Sequence, residues 1–303
     1  SQGVLCKIGR YLSLYDEKER LTGIRVKDDF GYRKISEDQL IKLVKDKIDK
    51  GIAYVDGTLF NEELELIKEL FKDKVYALNP EEIPISSNIT LNDLDNRNFY
   101  VVIGADLNRE YGTVGSIVKR NVIGNKARLM VIDKEFNSLA KIADYVFNIK
   151  DMSMALEIIK KQDDVVVIYK DINSDEIKLL SSLTNAKFLY LPKETNSLGL
   201  QKLGIKHNNI TAEYVFVFGK NLEGLKNLNI KDATVFVFTP YENDEIHKAT
   251  VLVGISNGFE REGTFYNLEG KKLKREKVLR PTYDTVDLKT FLSQILGRAE
   301  KVS

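Results

Sequence analysis

Cysteine and histidine are nearly absent: the 303 residues hold Cys6 alone, with His207 and His247. One cysteine cannot close an internal disulfide, so nothing points to a secreted, disulfide-stapled fold. Neither histidine stands in a carboxylate–His or Cys–His pattern, and both read as surface or boundary residues. The chain has no G-x-S-x-G elbow and no H-E-x-x-H string, which removes two common hydrolytic chemistries. An excess of either charge is also missing. Lys+Arg number 46 against 45 Asp+Glu, for a net charge of +1, so there is no global electrostatic basis for nucleic-acid or anionic-membrane binding. No apolar run approaches the roughly 20 residues of a membrane helix. The longest, VVVIY (165–169) and VFVF (215–218 and 235–238), have strand length. No nucleic-acid partner and no direct membrane insertion are therefore expected. No signal peptide is visible, and the chain opens at Ser1-Gln2-Gly3 without an initiator methionine, the start expected of a processed or partial chain.

What is present is alternation. Apolar β-branched runs interchange with amphipathic helical stretches, the pattern of an α/β protein with buried, mostly parallel sheets. The spacing predicts a strand at 52–55, a helix over 61–72 with Asn61 as N-cap, and a strand over 74–78 ended by Asn79-Pro80. A helix is expected over 36–50, with Ser36 as N-cap, Gln39 completing a capping box, and Gly51 as the terminating residue. Residues 20–35 read as a short β excursion turning near Asp28-Asp29 and Phe30-Gly31.

The alternation repeats. VVVIYKDINSDEIKLLSSLTNAKFLYLP (165–192) parallels GIAYVDGTLFNEELELIKELFKDKVYALNP (51–80). FYVVIGADLN (99–108) with ARLMVIDKEFNSLAKIADYVFNI (127–149) parallels EYVFVFGKNLEG (213–224) with ATVFVFTPYENDEIHKATVLVGI (233–255). Four matched elements in order indicate two similar Rossmann-like halves facing each other across a cleft.

Gly104 and Gly219 stand at strand ends, where α/β folds place ligands. The loops that follow, GADLNREYGTVG and GKNLEG, match neither G-x-G-x-x-G nor the P-loop, so both glycines read as turns. Glu62-Glu63 and Asp163-Asp164 read as solvated caps and not as catalytic dyads. The basic run KKLKREK (271–277) reads as an exposed strand edge carrying protective lysines. No complete catalytic constellation emerges.

Three strings nevertheless carry a resemblance. GVLCKIGRY (3–11) with RLTGIRV (20–26), then 99–149, then TPYENDEIHKATVLVGISNGFEREGTFYNLEGK (239–271) resemble, in order, the molybdopterin oxidoreductase superfamily. Glu262, Gly263, Thr264, Asn267, Glu269 and Gly270 carry the most specific of these matches. Within the superfamily the chain is most similar to the C-terminal, cofactor-free region of the large iron–sulfur subunit of respiratory NADH:quinone oxidoreductase (complex I). Departures from cofactor-binding members point the same way: Asp133-Lys134-Glu135, Lys150-Asp151-Met152 and Val253-Gly254 replace their motif residues.

The resemblance implies an α/β fold of two Rossmann-like three-layer halves with mostly parallel sheets and a short N-terminal β/helix segment, as in formate dehydrogenase-like domains. It divides the chain into 1–50 (the end of an iron–sulfur segment and a linking helix), 51–95 plus 206–303 (a discontinuous α/β domain) and 96–205 (a second α/β domain). Cys6 matches the last ligand of a [4Fe–4S] cluster whose other three thiolates would lie upstream. The implied role is structural and electron-transfer-associated, without molybdopterin and with no catalytic residues of its own. The implied partners are other subunits of a respiratory NADH dehydrogenase, in the cytoplasmic peripheral arm of that membrane-bound complex. Two alternatives stand beside it. One is a fragment of a molybdenum- or tungsten-pterin oxidoreductase, with Asn108, Lys134 and Asn221 as cofactor contacts. The other is a non-redox module binding a small ligand. Tyr111, Tyr241 and Phe259 are the bulky residues expected to fill the cleft if no cofactor does.

Overall fold

The computed structural model describes residues 18–81, 85–170, 172–281 and 283–298. Cys6 lies outside them. The chain forms two compact units, one inserted into the other. The discontinuous unit comprises Glu17–Glu81, Glu194–Asn267 and Lys272–Ser303, and the inserted unit Glu82–Lys193 with Leu268–Lys271.

The chain enters the discontinuous unit through an antiparallel hairpin, β1 (Ile24–Asp28) and β2 (Gly31–Lys34), in which Asp28 pairs with Gly31. The helix Glu37–Lys45 follows, capped as expected: Ser36 Oγ accepts from Gln39 N and Gln39 Oε1 from Ser36 N. It ends six residues before Gly51, passing through a 3-10 turn at Ile48–Lys50. Gly51 is no helix terminator, since its backbone is extended (φ −95°) and opens β3 (Gly51–Val55). The helix Asn61–Phe71 comes next, but its cap is Phe60, whose N–H donates to Glu63 Oε2 at 2.9 Å. Asn61 side-chain atoms are engaged elsewhere, with Thr264 and Asn196. Strand β4 (Val75–Ala77) closes this segment.

The inserted unit contributes β5 (Phe99–Ile103), β6 (Arg128–Asp133), β7 (Tyr145–Asn148), β8 (Val165–Tyr169) and β9 (Ala186–Tyr190). They form one all-parallel sheet in the order β7-β6-β5-β8-β9. The chain then returns with β10 (Tyr214–Phe218), β11 (Thr234–Thr239), β12 (Val251–Gly254), the two-stranded ribbon β13 (Gly263–Tyr266) and β14 (Lys272–Arg275), and the helix Leu288–Ile295. The discontinuous sheet runs β2-β1-β12-β11-β10-β3-β4, parallel except where β1 joins.

Aligning the two orders pairs β12-β11-β10-β3-β4 with β7-β6-β5-β8-β9, so every repeat read from the sequence occupies the same place in its sheet. Period-2 patterning accounts for the layers. Along β10, Phe216 and Phe218 face one cluster with the helix Asn61–Phe71, while Val215 and Val217 face another. The inserted sheet likewise has apolar clusters on both faces, which is why its central strands β5 and β8 are apolar and buried throughout. Phe216 stacks on Phe236 and Phe218 on Phe238, with centroids 4.5 and 4.6 Å apart. Among the described residues no helix is long and apolar enough to cross a membrane.

Candidate functional site

The discontinuous unit carries a buried polar network at the carboxyl ends of β3 and β10. Beyond Val55 comes Asp56-Gly57-Thr58, an Asx-type turn, in which Asp56 Oδ1 accepts from Thr58 N (2.9 Å) and Thr58 Oγ1 (2.6 Å). Beyond Phe218 comes Gly219, whose φ of +145° turns the next two amides inward. Lys220 N and Asn221 N then donate to Asp56 Oδ2 at 2.8 and 2.6 Å. Asp56 is fully buried, and a Cβ on Gly219 would stand 2.1 Å from its Cγ. Glycine is required here so that the carboxylate can lie against the backbone.

Two successive N–H groups after a strand form a concavity of the kind that binds phosphate and other anions. In this protein the anion is internal: it is Asp56. Glu194 completes the network, accepting from Gly57 N at 2.5 Å, Asn79 Nδ2 at 2.8 Å and Asn221 Nδ2 at 3.1 Å. Burial first, and then the Asp56 carboxylate, push the Glu194 carboxyl up to about 8, against the pull of its N–H donors. Burial also raises Asp56.

The equivalent strand ends of the inserted unit differ. Gly104 (φ +65°) follows β5, and Asp106 caps the short helix Leu107–Glu110 while binding Ser138 Oγ at 2.6 Å. Burial opposes ionisation of Asp106, but the Ser138 hydroxyl and backbone donors outweigh it and hold its carboxyl below the usual range. Where β3 is followed by Asp56, β8 is followed by Lys170, which pairs with Glu110 and lies 5.4 Å from the Tyr111 ring centroid.

The acid pair at 62–63 is not solvated as the sequence suggests. Glu63 is buried against Arg261, and Glu62 accepts from Thr264 N (2.8 Å) and Oγ1 (2.6 Å). Glu260 takes Arg20 in a two-point pair at 3.1 and 2.9 Å. The segment 260–266 is thus a strap fastened onto the helix Asn61–Phe71. Both histidines are exposed, as expected. Of the residues considered as cofactor contacts, Asn108 spends its amide on Ser138, Asn221 spends its own on Glu194, and Lys134 is exposed. Tyr241 lies beside Lys220 and Arg20, and Phe259 under Arg275.

Chemically, Asp56 has its acceptor capacity filled by four protein donors. No group of three His, Cys, Asp or Glu among the described residues is placed to hold a metal ion. Sequence reasoning missed Asp56 and Glu194. The available signal for Asp56 is an Asp-Gly-Thr directly after a strand that is apolar throughout; Glu194 has none, being brought in from a distant loop.

No protein-family model matches the chain, and no curated protein matches it in sequence. Among solved structures it is similar to acetylene hydratase from Pelobacter acetylenicus, at a TM-score of 0.55 and 11% identity over 97% of this chain. The match spans 64% of that protein's length. The likeness is one of fold: a mixed α/β architecture with mostly parallel sheets.

Proposed function

We propose that the chain is a cofactor-free α/β portion of an oxidoreductase subunit built on the molybdopterin fold, acting as scaffold and docking surface and not as a turnover site. The observation that carries this reading is the Asp56 carboxylate seated in the amide concavity beside Gly219. A pterin cofactor brings phosphate, and an anion meeting that concavity would meet a buried acid in its place. The residues there do not fit such a group. The large iron–sulfur subunit of NADH:quinone oxidoreductase is the finer form of the proposal, on the strength of the sequence strings at 3–11 and 239–271. In that form Cys6 is a [4Fe–4S] ligand in the intact subunit, and the partners are other subunits of the complex.

The test is elemental analysis of the intact protein containing this chain, for iron, molybdenum and tungsten, together with fluorescence of oxidised pterin. Iron without the other metals and without pterin is expected. Stoichiometric pterin with molybdenum or tungsten would overturn the reading and make the chain part of a pterin enzyme.

A further inference from the structure

The ribbon β13–β14 has two edges of different character. In the β13–β14 register Thr264 faces Lys274 and Tyr266 faces Lys272. Thr264 N donates outward to Glu62 Oε2 and Tyr266 N outward to Asn196 Oδ1, each at 2.8 Å. The two strands therefore exchange their ladder bonds at Gly263–Arg275 and Phe265–Leu273, since inward and outward amides alternate along an antiparallel strand. It follows that the N–H and C=O groups of Lys272 and Lys274 point away from β13. One edge of the ribbon is closed by side chains, and among the described residues the other is an open strand edge.

That open edge is the most cationic part of a nearly neutral chain. Residues 271–280 contain six Lys or Arg and one Glu, against a net charge of +1 for the whole sequence. This charge is compensated only in part: against burial, and together with the Thr264 donors, Lys272 helps hold the Glu62 carboxyl below its usual range. Lys274 pairs with Glu276 at 3.5 Å between exposed groups, where such pairs hold weakly, and Lys271 pairs at 3.0 Å with Glu269, whose side chain is largely buried. Arg275 lies 4.4 Å from the Phe259 ring centroid and has no carboxylate partner among the described residues. Apolar side chains are exposed alongside: Leu273, Val278, Leu279 and Tyr283.

We infer that β14 is a docking edge for an extended, acidic segment of a partner protein, which adds to the ribbon as a third strand. Its main chain meets the outward groups of Lys272 and Lys274, its acidic side chains lie on the face of those two lysines, and an apolar residue between them packs over Leu273. Main-chain pairing supplies register, and alternate side chains supply selectivity. A protein strand is favoured over a nucleic acid or a lipid surface because neither of those can pair in register with two alternate backbone groups. The inference is independent of cofactor content, so it and the metal analysis can fail separately.

The test uses a fluorescein-labelled decapeptide of alternating Glu and Val, titrated by anisotropy into the whole chain, with amide hydrogen exchange as a second readout. Binding is expected, with slowed exchange at Lys272 and Lys274 and weakening as salt is raised. Lys272→Glu/Lys274→Glu is expected to weaken binding by about tenfold or more. Lys274→Pro is expected to weaken it comparably while leaving the melting temperature unchanged, since the lost N–H is not a ladder donor. The proposal is overturned if the peptide does not bind, or if Lys274→Pro binds it as the parent does. Equal binding of an alternating Lys–Val peptide would also overturn it. So would displacement of the peptide by phosphatidylserine vesicles or duplex DNA at equal affinity.

Discussion

Gly219 and Asp56 form a lock in which a missing side chain and a buried carboxylate require each other. With φ at +145° and Asp56 Cγ at 2.1 Å from the site of a Cβ, Gly219→Ala adds backbone strain to a steric clash. A loss of about 3 kcal/mol is expected in urea unfolding; a loss under about 1 kcal/mol would mean the turn relaxes freely. Glu194 gives the network a pH signature. Its carboxyl is raised from the ordinary range near 4.5 to about 8. Below that window it is protonated whether folded or not. As pH rises through it, the unfolded chain releases a proton that the folded chain keeps, so stability falls by up to about 1.4 kcal/mol per pH unit and levels off above pH 8. Asp56, also raised by burial, acts in the same direction. Glu194→Gln is expected to flatten the slope of unfolding free energy between pH 5 and pH 8; an unchanged slope would assign the dependence to other groups.

At the scale of elements, what was legible depended on how far apart the partners lie in sequence. The capping box of Ser36 and Gln39 spans three residues and could be read directly. Its worth can be measured: Ser36→Ala should cost about 1 kcal/mol. Glu62 and Glu63 look like an ordinary acidic first turn, and nothing local reveals that Thr264 and Arg261 will cover them. The Asp56 network escaped for the same reason, since its donors come from loops after two strands that only the fold brings side by side. Arg261→Ala leaves Glu63 buried without its countercharge. Thermal and urea unfolding should register a cost of about 3–5 kcal/mol, well above that of an exposed pair such as Lys178 with Asp175. The reading of Gly51 as a terminator failed because a glycine after a helical pattern is equally compatible with a strand that must pass tightly. A Cβ there would meet the Phe216 ring at 2.7 Å.

For the whole molecule, duplication was the feature most open to sequence reading, because both copies keep the same order of strand, helix and turn and both land on the same strand positions. The sheet of the inserted unit is drawn entirely from one continuous stretch, β5 to β9, and is covered by apolar clusters on both faces. A fragment spanning 82–193 is therefore expected to fold alone, with a mixed α/β circular dichroism spectrum and a single cooperative urea transition; a molten, non-cooperative fragment would contradict this. The insertion also imposes an order in time. Strands β3 and β4 leave the ribosome early, but β10, the strand beside β3, follows only after the long stretch from Leu78 to Glu213. The inserted unit can collapse during that delay, whereas β3 and β4 wait as an unfinished, apolar sheet fragment. Aggregation during synthesis should therefore be governed less by the inserted unit than by how well Ile52 to Val55 are shielded until their partner strand emerges.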